Sequence, residues 1–142
     1  MNFTESGTYC FKLISEGVEY SPGFIQIPPN FIDPDNIKVI TLVSKWMGPI
    51  QTCWESFYKE IKSLDYNMIH FTPIQQRGMS NSPYSIRDQL RLSDDLFVKG
   101  NVQDMNQLQT SLRVMNEQYG ILGMIDIVWN HTACDSEWLK DH

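Results

Sequence analysis

The stretch that decides the fold is Ile121-Leu122-Gly123-Met124-Ile125-Asp126-Ile127-Val128-Trp129-Asn130-His131. Its first nine residues are apolar at nearly every position, as in a parallel strand covered on both faces. Immediately upstream, Val102, Met105, Leu108, Leu112, Met115 and Tyr119 form one helical stripe. Asn101 can cap its start and Gly120 sits at the C′ position. Further back, Asn67-Met68-Ile69-His70-Phe71-Thr72 reads as a short strand stopped by Pro73. Before that, Thr52 and Glu55 have capping-box spacing, and Trp54, Phe57, Tyr58, Ile61 and Leu64 give a first amphipathic helix of about three turns. Lys38-Val39-Ile40-Thr41-Leu42-Val43, short and β-branched, suits a buried strand. Strand, helix, strand, helix, strand in this order predicts right-handed crossovers and a parallel sheet.

The connections indicate where function lies. The two helix-to-strand links are one or two residues long, whereas Ile74 to Gly100 spans 27 residues. The usual link is about 2 to 6 residues, and longer ones are generally functional. In parallel α/β proteins such links leave the carboxyl ends of the strands, where ligands bind. The site is therefore expected near Thr72 to Leu90 and beyond Trp129.

Residues 1–37 have a different character. Tyr9, Phe11 and Leu13 alternate, Glu16-Gly17 can turn, and Phe24-Ile25-Gln26-Ile27 resumes an extended pattern. Asp33-Pro34-Asp35-Asn36 marks a boundary, so the division expected is a β-rich segment 1–37 and an α/β part 38–142.

The composition of the 142 residues narrows the function classes. With 42% apolar and 12% aromatic residues, the chain can bury a core and is not disordered. Eleven basic against 17 acidic side chains give a charge of −6, without the basic cluster that nucleic acid or anionic lipid needs. No apolar run approaches the roughly 18 residues of a membrane span, and Met1-Asn2-Phe3-Thr4-Glu5 lacks the form of a signal peptide. A cytoplasmic location is expected. Cys10, Cys53 and Cys134, odd in number and widely spaced, are expected to be reduced and structural. No internal repeat, Gly-rich phosphate loop, nucleophile elbow or paired-cysteine zinc motif is present. Asn2-Phe3-Thr4 and Asn130-His131-Thr132 match the glycosylation triplet, which a cytosolic chain would not have used.

Chemistry concentrates at the end of the third strand. Asp126 interrupts an apolar run, and an ionised carboxylate there requires hydrogen bonds or a cation. It is either a structural tie between neighbouring elements or an active-site carboxylate, and the pattern leaves both open. Asn130 and His131 follow where a strand delivers side chains to the ligand face, a polar constellation that packing does not require. In the long link, Ser82-Pro83-Tyr84-Ser85 precedes Asp88. Tyr84 offers a flat apolar face and a hydroxyl, suited to a sugar ring, or else pins the loop. Trp46, Trp129 and Trp138 are further stacking candidates, while Trp54 on the helix stripe reads as core. His70, inside the second strand, reads as a satisfied core histidine.

Asp126-Ile127-Val128-Trp129-Asn130-His131 resembles the first short motif of the α-amylase superfamily, at the end of the third barrel strand. Flanking stretches narrow the resemblance: Lys45-Trp46-Met47-Gly48-Pro49, Trp54-Glu55, Tyr66 through Pro73, Gln75, Gly78, Ser82-Pro83-Tyr84-Ser85, Asp88-Gln89-Leu90, Asn130-His131-Thr132-Ala133 and Ser136-Glu137-Trp138. In this order and spacing, from about Gly23 onward, they are similar to the amino-terminal part of eukaryotic glycogen debranching enzymes.

The resemblance implies an α/β fold: an incomplete TIM (β/α)8 barrel, comprising about the first three βα units, preceded by a short β-rich segment. It implies 4-α-glucanotransfer on glycogen or another α-1,4/α-1,6-glucan, with amylo-α-1,6-glucosidase activity on a separate carboxyl-terminal domain. By the same carry-over His131 hydrogen-bonds the glucose at the cleavage subsite and Tyr84 stacks on that ring. Asp126 holds strand ends and the hydrogen-bond network, Asn130 organises the following loop, and Asp88 supports them. No cofactor or metal is expected, although the matching Asn binds calcium in some amylases. Retaining transfer needs a carboxylate nucleophile and an acid/base about 5 Å apart. In this superfamily these stand on strands four and five, so no catalytic residue is expected in this chain. A barrel takes about 250 residues, and roughly 105 follow the first segment, so the remainder of the barrel is the expected partner. The competing expectations are a non-catalytic glucan-binding or regulatory protein built on the same barrel portion, and a doubly wound domain holding a metal among Asp126, His131 and Asp135.

Overall fold

A computed structural model describes residues 5–27, 33–100 and 103–140. The chain packs as two compact units, Met1–Asn36 and Ile37–His142. In the first, β1 (Gly7–Phe11) leads through the two-residue strands β2 (Ile14–Ser15) and β3 (Val18–Glu19) to β4 (Gly23–Ile27). β1 and β4 pair antiparallel with Tyr9 opposite Ile25. The inner hairpin turns on Glu16 and Gly17, both at positive φ, the hand that matches the twist of the flanking strands. Leu13 falls in a bend outside the expected alternation, its carbonyl accepting from Tyr20 N–H at 2.9 Å.

The second unit begins with β5 (Val39–Leu42). The first helix forms as expected but not by the expected cap. A π-helical turn, Ile50–Trp54, runs directly into α1 (Glu55–Ser63). The residue ahead of α1 is Trp54, already helical, and Thr52 Oγ1 lies against Cys53 Sγ rather than capping. Burial explains the extra turn: it carries Ile50 and Trp54 inward, 5% and 1% exposed. Leu64, assigned to the stripe, is exposed in the C-cap position.

β6 (Met68–Phe71) follows, parallel to β5. The long link that follows is an inserted hairpin rather than a structureless loop, β7 (Gln75–Arg77) against β8 (Ile86–Leu92), closed by a 3₁₀ turn at Asp94–Leu96. Arg77 ties it by bonding both Asn81 Oδ1 and Asp95. Then comes α2 (Met105–Tyr119), capped by Asp104, whose carboxylate accepts from Asn106 N–H at 2.8 Å. Asn101, the cap expected from sequence, lies outside the described residues. Gly120 ends α2 at φ 64, the left-handed conformation that lets its N–H and that of Ile121 return to the last helical carbonyls.

β9 (Leu122–Ile125) completes an open, three-stranded parallel sheet in the order β5-β6-β9, with no closed barrel among the described residues. The core lies between this sheet and the two helices: Trp54, Tyr58, Ile61, Ile69, Phe71, Leu108, Met115 and Ile121. Trp54 stacks on Phe71 with ring centres 5.4 Å apart and gives its indole proton to Gly48 O at 3.0 Å. Tyr58 bonds Ser111 Oγ at 2.8 Å, and burial pushes its phenol up to about 12.

Two expectations need correction here. The third strand stops at Ile125, because beyond Asp126 no described strand supplies a ladder partner. Its residues are not covered on both faces either, since Met124, Ile125, Ile127 and Trp129 are exposed, Trp129 at 86%. The cysteines are free, but Cys10 and Cys134 are exposed and only Cys53 contributes to packing. Among the described residues no helix is long and apolar enough to cross a membrane.

Exposed apolar residues along an unpaired edge favour association. The 142-residue chain is therefore expected to self-associate with concentration and Ile127→Lys to reduce this, as read by sedimentation velocity. A monodisperse wild-type monomer with a cooperative, high-temperature melt would overturn it.

Candidate functional site

The parallel register determines which side chains meet. Thr41 on β5 is level with His70 on β6, and His70 with Met124 on β9. Asp126, two residues past Met124, projects to the same side. Its backbone N–H still bonds Phe71 O at 3.2 Å, so it stands where the ladder ends.

That carboxylate is well partnered. His70 Nε2 lies 2.9 Å from Asp126 Oδ1, and the Tyr84 phenol is near enough to the same carboxylate for each to shift the other's titration. The His70 contact chiefly holds the Asp126 carboxyl below its ordinary range; burial opposes it, and Tyr84 adds a smaller lowering. The Tyr84 phenol is held above its ordinary value chiefly by the same contact. On the other side of His70, Nδ1 meets Thr41 Oγ1 at 3.1 Å.

Tyr84 carries the network onward. Its carbonyl accepts from His131 Nε2 at 3.0 Å, and Asn130 Oδ1 lies 2.9 Å from His131 Nδ1. Tyr84, Asp126, Asn130 and His131, four of the residues singled out in the sequence, are thus brought together. Asp88 acts locally, its Oδ1 accepting from Leu90 N–H at 2.8 Å within the irregular stretch of β8, where the pairing with β7 shifts register. The adjacent Gln89 can then reach Val128 O at 2.9 Å.

The segment after β9 is fastened along β8. Thr132 Oγ1 and Ala133 N–H both donate to Ile86 O, and Ser136 Oγ donates to Arg87 O at 2.7 Å. Arg87 pairs with Glu137 at 2.9 Å. Gly78 passes so close that an added Cβ would stand 2.4 Å from both Ala133 Cβ and Asp135 Oδ1. Beside this seam lies a groove of about 460 Å³ lined by Gln75, Gln89, Trp129, His131 and Trp138 among others. Gln75 Oε1, facing it, is buried without a partner among the described residues. Trp129 and Trp138 are exposed, as is Trp46 elsewhere, whereas Trp54 is core. A second cavity of about 330 Å³, between the amino ends of α1 and α2, contains none of the sequence-derived site residues. Among the described residues no group of three or more His, Cys, Asp or Glu could hold a metal ion.

The sequence pattern places His70 in the core and does not single out Thr41. The structure makes His70 the central residue of this network, with Thr41 at its side. A signal was present in the parallel order, which brings Thr41, His70 and Asp126 to neighbouring strand ends.

An open parallel α/β unit with a polar cluster at the strand carboxyl ends is a ligand-binding arrangement that barrels and doubly wound sheets share. The chain is similar to Bacillus licheniformis trehalose-6-phosphate hydrolase, with a TM-score of 0.59 and 24% identity over 74% of this chain and 19% of that one. It is likewise similar to an α-amylase from Lactobacillus plantarum, with a TM-score of 0.57 and 21% identity over 75% and 26%. At these identities the likeness concerns the fold. Residues 30–142 match the glucanotransferase domain of glycogen debranching enzymes, and the chain belongs to that family. It is 36% identical to the glycogen debranching enzyme of Saccharomyces cerevisiae over its whole length, and spans 9% of that relative.

The direction of the pKa shifts determines a pH window. Because the native Asp126 carboxyl is held low, its tie stabilises the loop above the ordinary aspartate value of about 3.9 and is lost as pH falls through the native one. Because the Tyr84 phenol is held high, its share persists below about 10 and is lost as pH rises through the native value. Hydrogen exchange of residues 78–85 should accelerate at both ends of this window. Asp126→Asn should abolish the acid limb, and an acid limb unchanged in that variant would refute the assignment.

Proposed function

We propose that this chain supplies the first three βα units of a 4-α-glucanotransferase barrel, and with them the wall of the glucose subsite next to the scissile bond. The substrate is glycogen limit dextrin or a related α-1,4/α-1,6-glucan, handled in the cytoplasm. The observation that carries the reading is the clasp of Tyr84 and His131 at the strand carboxyl ends, anchored by Asp126. Tyr84, 43% exposed, offers its ring as a platform, and His131 sits beside it as hydrogen-bonding partner. Family membership and amylase-type neighbours support the substrate class.

Asn130 sets the imidazole, Asp126 sets Tyr84, and Asp88 shapes the strand beneath. The reacting carboxylates of retaining transfer, about 5 Å apart, are assigned to later strands of the barrel, so these residues bind and orient rather than attack. On this reading the 142 residues alone bind maltooligosaccharide weakly and transfer nothing. A non-catalytic glucan-binding protein is the alternative, distinguished by affinity without turnover in the complete polypeptide.

In the complete enzyme, His131→Ala is expected to remove about 2 to 4 kcal/mol of transition-state stabilisation, roughly 10² to 10³ in transfer rate, by analogy with an oxyanion-hole donor. Glycogen affinity should change little, because other subsites hold the polymer. Tyr84→Ala should lose rate and a larger share of affinity, and both variants should spare α-1,6-glucosidase activity. Transfer by His131→Ala within about twofold of wild type, or equal loss of both activities in a folded protein, would sink the assignment.

A further inference from the structure

His70 makes two contacts of different chemistry. Its Nε2 faces a carboxylate, which only accepts, so the ring proton resides there. Its Nδ1 faces the Thr41 hydroxyl, which can donate to the bare nitrogen. The two contacts are satisfied together by one neutral tautomer, which the carboxylate selects and the Thr41 hydroxyl accommodates. The ring is 18% exposed and cannot easily exchange these partners for water. Beyond Asp126 the same line continues through Tyr84 to His131, whose Nε2 rests on the Tyr84 carbonyl. A displacement of the carboxylate would move the stacking ring and the support of the neighbouring imidazole together.

We propose that His70 is a positioning residue for the sugar-facing pair Tyr84 and His131, acting through Asp126, with Thr41 holding the ring from its other nitrogen. The proposal rests on the glucan-subsite reading above for its consequence in turnover, but not for its geometry. A core histidine serving only as packing would tolerate an apolar ring of similar size better than a polar amide. A positioning histidine behaves the other way. Glutamine can offer an N–H where Nε2–H stands and a carbonyl toward Thr41, whereas phenylalanine keeps the ring and loses both bonds.

Two measurements test this. In the 142-residue chain, ¹⁵N resonances of His70 should show a protonated Nε2 and an unprotonated Nδ1. The Tyr84 phenol, followed by ¹³C-tyrosine NMR, should titrate nearer the ordinary tyrosine value in His70→Phe and stay high in His70→Gln. Thr41→Val should keep the proton on Nε2 and move the Tyr84 titration only part of the way toward its ordinary value. In the complete enzyme, His70→Phe should lower the kcat of transfer by about tenfold or more with KM within about twofold, and His70→Gln should recover most of it. The proposal is overturned by a wild-type ring protonated on Nδ1, by Tyr84 titrating identically in a folded His70→Phe, or by His70→Gln failing as badly as His70→Phe. Should His70→Phe not fold, the wild-type tautomer and the Gln and Val variants still decide. If the NMR results hold but wild-type transfer is absent, the functional reading fails and the positioning geometry stands.

Discussion

A carboxylate placed inside an apolar strand sequence must find hydrogen bonds, and much of this site follows from how Asp126 finds them. The Asp126 side chain is 36% exposed where the ladder ends, so water reaches part of it and His70 supplies its nearest protein partner. The parallel ladder places His70 one strand away at the required height, and the inserted hairpin brings Tyr84 over the sheet's end. The carboxylate therefore adds a link between a barrel-type strand and a surface loop that Asp135, Lys45 and His131 also hold. An apolar residue at position 126 would suit the strand equally well and remove that link.

The segment beyond β9 obeys the same constraint in its backbone groups. Once the strand leaves its ladder, its polar groups need other partners. β8 provides them: the Gln89 amide for Val128 O, Ile86 O for Thr132 and Ala133, and Arg87 O for Ser136. This substitution requires β8 to be irregular, since a straight strand could not turn Gln89 toward β9, and Asp88 stabilises the irregularity through Leu90 N–H. The absence of a Cβ at Gly78 then permits the close approach that seals the seam.

The elements that bury apolar stripes were legible in the sequence. β5, α1, β6, α2 and the start of β9 depend on local periodicity, and each occurs close to its expected place. What escaped depended on contacts distant in sequence or on burial overriding local chemistry. The capping pair Thr52 and Glu55 yielded to a π turn because Trp54 gains more by entering the core than a cap returns. The hairpin between Gln75 and Leu92 has polar strands without alternation, held by cross-strand pairing and the Arg77 bonds, so no periodic signal marked it. At the site, the apolar run around Asp126 called for a partner, and His70 is one. Naming His70 needed the strand register, which is a property of three strands rather than of any one of them.

Under the proposed glucan-subsite reading, the geometry of His131 constrains how a sugar could use it. Both ring nitrogens already have protein partners, Tyr84 O and Asn130. A glucosyl hydroxyl that accepts from Nε2–H replaces the Tyr84 carbonyl rather than adding a bond, so the exchange nets little. The imidazole is therefore poorly placed to raise ground-state affinity. Its value arises where the new bond becomes stronger than the old one, as positive charge develops on the ring and the neighbouring hydroxyl turns into a better or differently directed partner. On that reading, affinity for a long glucan falls to stacking and to other subsites, and the small polar clasp between Tyr84 and His131 acts in the step in which the sugar changes shape.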